Sequence, residues 1–527
     1  MDAANASTPA AAAGISEVHA HTPWRRFGKL EAVCYQAASA SMTNSRPTAL
    51  SETVPSLLDA AVARGAARRA VADEREALDY AALAERVAAA ADILRAAGLG
   101  AGDRVALALP SSVAFVEGFL GVLAAGAAAF PVPPTARPDE LRRLFADGRI
   151  DALVAHPDDE RAAAPIRLAI DARGMRVTAA DAAARRRPRA ATPPRPADPA
   201  LVAATSGTVA RPHRVERTHA NLWWEAANFH TSTGLGVDDV VLGVVPLSHA
   251  HGLGNALLAA LRAGASLVLR PRFLRRQVLE VLARERVTVF PAVPFMLRML
   301  AATDRRRRVD LSALRLCLSA GAPLPREVFT AFRERFGVGI RQLYGLTEAG
   351  SVTCDLADDA EIDPTTVGRP LGNVVVTIED ERGRPLASGA TGEIVIRSPA
   401  AADGPETPLR TRDLGRLDGA GRLVVTGRTS LFINAAGNKV DPAEVEAALR
   451  AHPAVADAAA FGLAAAHGEQ IVAAAVVLAA AATPDQLRAH CRERLAAHKV
   501  PRVLTFRDAL PRSPLGKVLI GRLLADA

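Results

Sequence analysis

Tyr344-Gly345-Leu346-Thr347-Glu348 follows a strand-like run, Gly339 to Leu343, and gathers three chemistries within five residues. Its glutamate can hold Mg²⁺, its hydroxyl can reach a phosphate, and its aromatic face can stack on a base. Read alone, the segment is equally a turn with a helix-capping pair. Upstream, the apolar run Leu201 to Ala204 ends in Thr205-Ser206-Gly207-Thr208. Hydroxyls and backbone N–H groups there can face phosphate oxygens, because the chain can approach closely at Gly207. The Walker pattern is absent, and an ordinary loop is the simpler reading of that turn by itself. Downstream come Thr411-Arg412-Asp413 and Gly427-Arg428. A carboxylate can accept two adjacent ribose hydroxyls, and an arginine can donate to sugar or phosphate, although in isolation a surface ion pair is the simpler reading.

The chain around these segments alternates apolar runs with helical patterns, which predicts an α/β architecture. Helices are predicted over Tyr80 to Ala97 and Ser112 to Ala125, and strands over Arg104 to Leu109 and Ala128 to Val132. Further units at Val240 to Val245, Ser266 to Leu269, Val287 to Phe290 and Leu314 to Leu318 predict parallel sheets with crossover helices. Arginine, proline and alanine between Arg185 and Pro199 mark a loop. After Thr377, glycine-punctuated short strands, among them Gly392 to Arg397 and Gly421 to Thr426, predict a smaller β-rich part. From about Arg428 the pattern reads as a separate α+β unit.

A length of 527 residues predicts two or more domains, and half the chain is hydrophobic, so most of it should be globular. The net charge of +8 raises the possibility of nucleic acid. Against it, the excess is spread through runs such as Arg185 to Arg187 and Arg305 to Arg308, and aromatics are only 4% of residues, leaving few surfaces for base stacking. Cys34, Cys317, Cys354 and Cys491 lie far apart, which points away from a zinc site or disulfide framework and toward a reducing cytoplasm. No secretory signal or membrane span is evident, residues 1–45 are expected to be disordered, and Met42 is a candidate alternative start.

Among 64 basic residues only Lys29, Lys439, Lys499 and Lys517 are lysines. Where arginine fills almost every cationic role, a remaining lysine is a candidate for work a guanidinium cannot do. An ammonium is a compact charge on a flexible stem, suited to a crowded reaction centre. Lys517 ends Leu510-Pro511-Arg512-Ser513-Pro514-Leu515-Gly516-Lys517, whose prolines and glycine suggest a stiff turn presenting its last residue. From this segment alone, a solvated lysine opening a final helix is the simpler reading.

In order, these segments resemble the adenylate-forming superfamily of acyl- and aryl-CoA synthetases, peptide-synthetase adenylation domains and luciferases. The resemblance runs from about Thr48 to the C-terminus. It includes Gly121 to Pro133, Thr205 to Val215, Pro246 to Leu253 (PLSHAHGL), Ser319 to Leu324 (SAGAPL), Tyr344 to Glu348, Thr411 to Gly415 and Gly427 to Glu446, and ends at Lys517. Ile433-Asn434 and Gly437 to Glu444 are more similar to acyl-CoA synthetases than to peptide-synthetase domains. The resemblance implies an α/β fold. An N-terminal domain, residues 46–427, would hold two α/β lobes and a β-barrel-like part, and residues 428–527 would form a small mobile α+β lid.

The resemblance also implies a two-step reaction in which a small-molecule carboxylic acid and MgATP give an acyl-adenylate and pyrophosphate, and a thiol then attacks the mixed anhydride. ATP and Mg²⁺ are thereby implied, with CoA or an acyl carrier protein as thiol donor. By resemblance, Glu348 would bind Mg²⁺, and Thr347 with Thr205, Ser206, Gly207 and Thr208 would hold phosphates. Tyr344 and Gly345 with Gly321, Ala322 and Pro323 would frame adenine, and Asp413 and Arg428 would grip ribose. Lys517 would bridge the attacking carboxylate and the α-phosphate region. His249 would border the acyl pocket, and Gly437 to Lys439 would approach the thiol donor.

Three departures bear on turnover. Val209 and Ala210 stand where the family's phosphate loop carries Thr and Gly, and His213 and Arg214 replace Lys and Gly, so the loop's grip on pyrophosphate is expected to weaken unless Arg211 and Arg214 supply charge. Leu431 occupies the place near Arg428 where the family commonly carries a polar or acidic hinge residue, so altered lid rotation is expected. Arg412 replaces a small residue beside Asp413, and its bulk is expected to lie outside the site. The alternatives are therefore an active acid–CoA ligase, a catalytically degenerate nucleotide- or acyl-binding homologue, and a ligase loading carrier-protein phosphopantetheine. Trp223, Trp224, His249 and Ala320 are expected near the pocket walls, the tryptophans more simply as helix packing. His249 and His251 read as pocket lining rather than a metal pair.

Overall fold

The computed structural model describes residues 52–525, apart from 134–135, 137, 139–140, 143–149, 160–163, 165, 181–186, 205–213, 305–308, 429–432, 436–437, 465–469, 514–515 and 517. The expectations for residues 1–45, for Arg305 to Arg308 and for Leu431 fall outside these residues. Continuous apolar runs suit strands covered on both faces, and they build two large sheets. The first runs, in spatial order, Arg369–Pro370, Gly350–Cys354, Ile340–Leu346, Leu316–Ser319, Val289–Ala292, Val240–Gly243, Ser266–Leu269, Arg69–Ala72 and Ala77–Asp79. Pairing is parallel from Ile340–Leu346 across to Arg69–Ala72 and antiparallel beyond both ends of that stretch. The crossover helices Arg275–Arg284 and Arg326–Phe336 each bury one stripe, Val278, Leu279, Val281 and Leu282 in the first and Val328, Phe329 and Phe332 in the second.

The second sheet has seven strands in the order Gly174–Ala180, Ile166–Asp171, Ala152–Ala155, Arg104–Ala108, Ala128–Pro131, Pro199–Ala204 and Arg214–Thr218. Helix Val113–Ala124, capped by the Ser112 hydroxyl, is apolar nearly all round and accordingly buried. The β-rich part is a four-stranded antiparallel meander, Val375–Glu379, Gly392–Arg397, Leu409–Leu417 and Leu423–Arg428. It starts its last strand two residues later than the sequence pattern suggests, because Gly421, at φ +73°, closes a turn on the Asp418 carboxylate. From Ile433 onward a five-stranded sheet with helices Pro442–Arg450 and Pro484–Arg492 encloses its own core of Val440, Val445, Leu449, Ala474 and Leu487.

One turn departs from the simpler local reading. The strand Ile340–Leu346 carries on through Tyr344-Gly345-Leu346 and returns antiparallel as Gly350–Cys354, so Thr347 and Glu348 sit in a hairpin and open no helix. Gly345 permits the close return, since a Cβ there would lie 2.6 Å from the Gly350 carbonyl oxygen.

The amino-terminal edge of the first sheet is fastened by Asp239. Its carboxylate accepts from Arg315 Nε at 2.9 Å and Nη2 at 2.6 Å, from the Thr288 hydroxyl at 2.6 Å and from Gly236 N at 2.8 Å. Burial alone would raise the carboxyl, but these donors outweigh it and hold the group below its usual 3.8. The folded group thus ionises at lower pH than the unfolded one. Its contribution is complete above the unfolded value and is lost as pH falls through the folded value. Asp239→Asn is expected to cost about 2 kcal/mol near neutral pH. Urea unfolding should show that deficit shrinking once the pH drops below the unfolded 3.8.

Candidate active site

Ala292, Ser319 and Gln342 are successive neighbours in register across three parallel strands, and Gly243 faces Leu269 in the same ladder. The segments that follow these strands therefore leave the sheet at one carboxyl edge, where ligands of open α/β sheets bind. That edge gathers Pro246 to Leu253, Ala320 to Pro323 and the Tyr344 to Glu348 hairpin. In the second sheet Pro199–Ala204 leads directly into residues 205–213.

Tyr344 and Asp413, far apart in sequence, meet here. The Tyr344 hydroxyl donates to Asp413 Oδ2 at 2.6 Å, and Asp413 is 9% exposed. Thr411 fixes the approach, its hydroxyl donating to the Ile394 carbonyl at 2.7 Å while accepting from Asp413 N at 3.0 Å. Register places Arg428 directly opposite Asp413. Arg412 adopts φ +61°, donates its backbone N–H to Glu393 Oε1 at 3.0 Å and is exposed. Gly321, at φ +84°, turns the segment after Ser319, which ends where Leu324 N donates to Gln342 Oε1 at 3.2 Å. Gln342 in turn donates to the Pro364 and Thr366 carbonyls.

The half-buried Glu348 carboxylate has no hydrogen-bond or ion-pair partner among the described residues, while its backbone carbonyl accepts from Ala402 N at 2.8 Å. Beneath that hairpin lies an ion pair that sequence reading missed. Arg217 Nη1 donates to Glu225 Oε2 at 2.5 Å, with side-chain exposures of 1% and 3%. The available signal was an arginine at an inward position of the alternating strand Arg214–Thr218. Also missed was a relay through His251. Its Nε2 lies 3.0 Å from the Ala292 carbonyl and its Nδ1 2.8 Å from Asn255 Nδ2, and Asn255 Oδ1 accepts from the Ser351 hydroxyl at 2.6 Å. His251 thus ties the helical stretch that begins at Ala250 to the Ala292 carbonyl and, through Asn255, to Ser351, and among the described residues no three His, Cys, Asp or Glu side chains gather to hold a metal.

His249 precedes that stretch, and its Nε2 and the Ser248 hydroxyl are buried with no hydrogen-bond partner among the described residues. Trp223 and Trp224 meet edge to face on helix His219–Thr233. Trp223 carries the Arg262 guanidinium 4.7 Å from its ring centre, and Trp224 Nε1 donates to Glu52. Both contacts are packing contacts. Thr205 to Thr208, Gly437 and Lys517 lie outside the described residues, as do the side chains of Arg428 and Lys439. Gly516, beside Lys517, sits against Phe295, where an added Cβ would be 3.1 Å from the Phe295 Cβ.

The AMP-binding enzyme family is matched over residues 58–404, and the AMP-binding enzyme C-terminal domain over residues 444–517. The chain belongs to the AMP-binding enzyme family and is an AMP-forming ligase of the adenylate-forming superfamily, acyl-/aryl-CoA synthetase-like in type. It is 34% identical to the feruloyl-CoA synthase of an Amycolatopsis species over 463 residues, covering 85% of this chain and 93% of that one. With the sulfoacetate–CoA ligase of Cupriavidus necator it shares 33% identity over 482 residues, covering 86% and 94%. The ATP-bound structure of MatB from Rhodopseudomonas palustris superposes with a TM-score of 0.78 at 26% identity, covering 90% of this chain and 99% of that one.

Removing only the Tyr344 hydroxyl frees Asp413 from one of its anchors. Tyr344→Phe is expected to raise the KM for ATP about fivefold and to leave kcat within about twofold, read by steady-state kinetics. A second expectation concerns acid. Burial pushes His219, His249 and His251 down from 6.5 to about 4. Unfolded chains would take up protons below 6.5 that the folded protein refuses until about 4, so this contribution to stability is complete above 6.5 and lost through that window. The thermal midpoint should fall across it.

Proposed function

We propose that the protein is an ATP-dependent acid–CoA ligase acting on a small-molecule carboxylic acid, working in the cytoplasm and using free CoA rather than a carrier-protein thiol. The observation that carries the reading is the Tyr344–Asp413 hydrogen bond, with Arg428 opposite in register, at the sheet edge that also presents Glu348. A carboxylate shielded from solvent and aimed by the Tyr344 hydroxyl is suited to accept from adjacent ribose hydroxyls. Relatives named for CoA ligation, matched over nearly their full length, support the thiol.

In the first step the carboxylate oxygen attacks the α-phosphorus of ATP and pyrophosphate leaves. In the second, the CoA sulfur attacks the acyl carbon, AMP leaves and the thiol proton is released. The first step brings two anions together, so positive charge and oriented donors must offset their repulsion. Glu348, a hard oxygen donor with no protein partner among the described residues, suits Mg²⁺, which when bound offsets phosphate charge. Thr347 and the Thr205 to Thr208 turn hold phosphates, Tyr344, Gly345 and Gly321 to Pro323 frame adenine, and Asp413 and Arg428 hold ribose. Lys517 bridges the two anions during attack, Gly437 and Lys439 meet the thiol when residues 428–527 rotate as a lid, and His249 borders the acid. Neutral and unpartnered at Nε2, His249 can exchange a hydrogen bond with a polar group on the acid.

Carboxylate-dependent exchange of labelled pyrophosphate into ATP, run across a broad acid panel and followed by thioester detection with CoA, tests this reading. Absence of exchange with every acid tested means a degenerate homologue, the outcome that the substitutions at Val209, Ala210, His213 and Arg214 would produce. Exchange with thioester formed only on a phosphopantetheinyl carrier overturns the choice of CoA. Lys517→Ala is expected to reduce adenylate formation by at least about 100-fold while changing conversion of supplied acyl-adenylate by less than about threefold. Equal loss of both steps would contradict its assigned role.

A further inference from the structure

We propose that the buried Arg217–Glu225 ion pair is a positioning pair for adenylation, setting the hairpin that carries Glu348 against the strand pair Pro199–Ala204 and Arg214–Thr218 that flanks residues 205–213; this rests on the reading of Glu348 given above.

Arg217 lies on Arg214–Thr218, the strand that leaves residues 205–213, and is paired in register with Leu201 on the strand that enters them. Its guanidinium reaches three groups. Besides Glu225, Nη2 donates to the Asn221 carbonyl at 3.2 Å and to the Ala400 carbonyl at 2.9 Å. Asn221 doubles the second tether, its amide donating to the Pro399 carbonyl at 3.0 Å and the Ala401 carbonyl at 2.7 Å. The next residue, Ala402, donates its N–H to the Glu348 carbonyl. Hydrogen bonds joined through the backbone of Ala400 to Ala402 therefore link the strand Arg214–Thr218 to the backbone of Glu348.

Glu225 reaches the same hairpin from below. A Cβ at Gly350, two residues beyond Glu348, would lie 2.4 Å from the Glu225 Cδ, and one at Gly254 would lie 1.8 Å from its Oε1. The carboxylate is thus packed against the bare Cα atoms of the hairpin and of the helical stretch that follows His249. For stability alone such a pair is a poor choice, because removing two charges from water commonly costs as much as their attraction returns, and apolar side chains of similar volume serve as well. What an apolar pair cannot supply is the arginine fork, with donors aimed at two carbonyls on separate elements.

Arg217→Lys, Glu225→Gln and the apolar double variant R217M/E225L are compared with wild type in the full chain. Folding is followed by circular dichroism, MgATP affinity by calorimetry, hydrogen exchange at residues 345–351 and 398–402, and exchange and thioester steps separately. In Arg217→Lys, which keeps the charge but loses the fork, we expect MgATP affinity to drop about fivefold or more, with faster hydrogen exchange in both segments and thioester formation from supplied acyl-adenylate within about twofold. The double variant should recover folding but keep the weakened MgATP affinity. A folded Arg217→Lys or R217M/E225L protein with wild-type MgATP affinity and hydrogen exchange overturns the proposal. If the double variant does not fold, Arg217→Lys and Glu225→Gln decide. Wild-type protein that exchanges no pyrophosphate with any acid rejects the functional reading instead, while MgATP affinity and hydrogen exchange still judge the pair.

Discussion

Parallel register is the constraint from which the site follows. Because Val289–Ala292, Leu316–Ser319 and Ile340–Leu346 advance in step, three segments separated by dozens of residues are delivered to one edge without any contact among them being required first. The sheet's other edge is tied down by the four donors on Asp239. Rigidity and chemistry are thereby assigned to opposite ends of the same strands. Loops can then carry reactive groups while their roots stay fixed.

Within the site, fixed geometry is produced by short local devices stacked on that frame. Thr411 aims Asp413, Gln342 braces the segment after Ser319, and His251 with Asn255 links the Pro246 to Leu253 segment to Ser351. Burial keeps the histidines neutral, so they act as hydrogen-bonding groups and not as cations. The protein's own positive charge for meeting two anions then falls to arginine and lysine. The scarcity of lysine makes Lys517 conspicuous in that respect.

Sequence singled out the candidate segments whose chemistry is local. Tyr344 to Glu348 and Thr411 to Asp413 can be recognised because five or three adjacent residues suffice, and the strand Gly392–Arg397 because alternation and glycine bound it. It did not reveal the hairpin at Glu348, since a hydroxyl followed by a carboxylate fits a helix cap equally well until the returning strand is known. Nor did it reveal Arg217 with Glu225. An arginine in a short polar strand looks solvated, and only folding turns it inward toward a carbonyl 183 residues away. Long-range polar pairing leaves no periodic trace. Apolar pairing does, which is why the sheets were legible and their buried charges were not.

The two bare Cα atoms over Glu225 also limit how this protein can change over generations. Even a methyl group at 254 or 350 would occupy the space of a buried carboxylate. Substitution is thus closed at both positions, and any change in the packing over Glu225 has to be made by their neighbours.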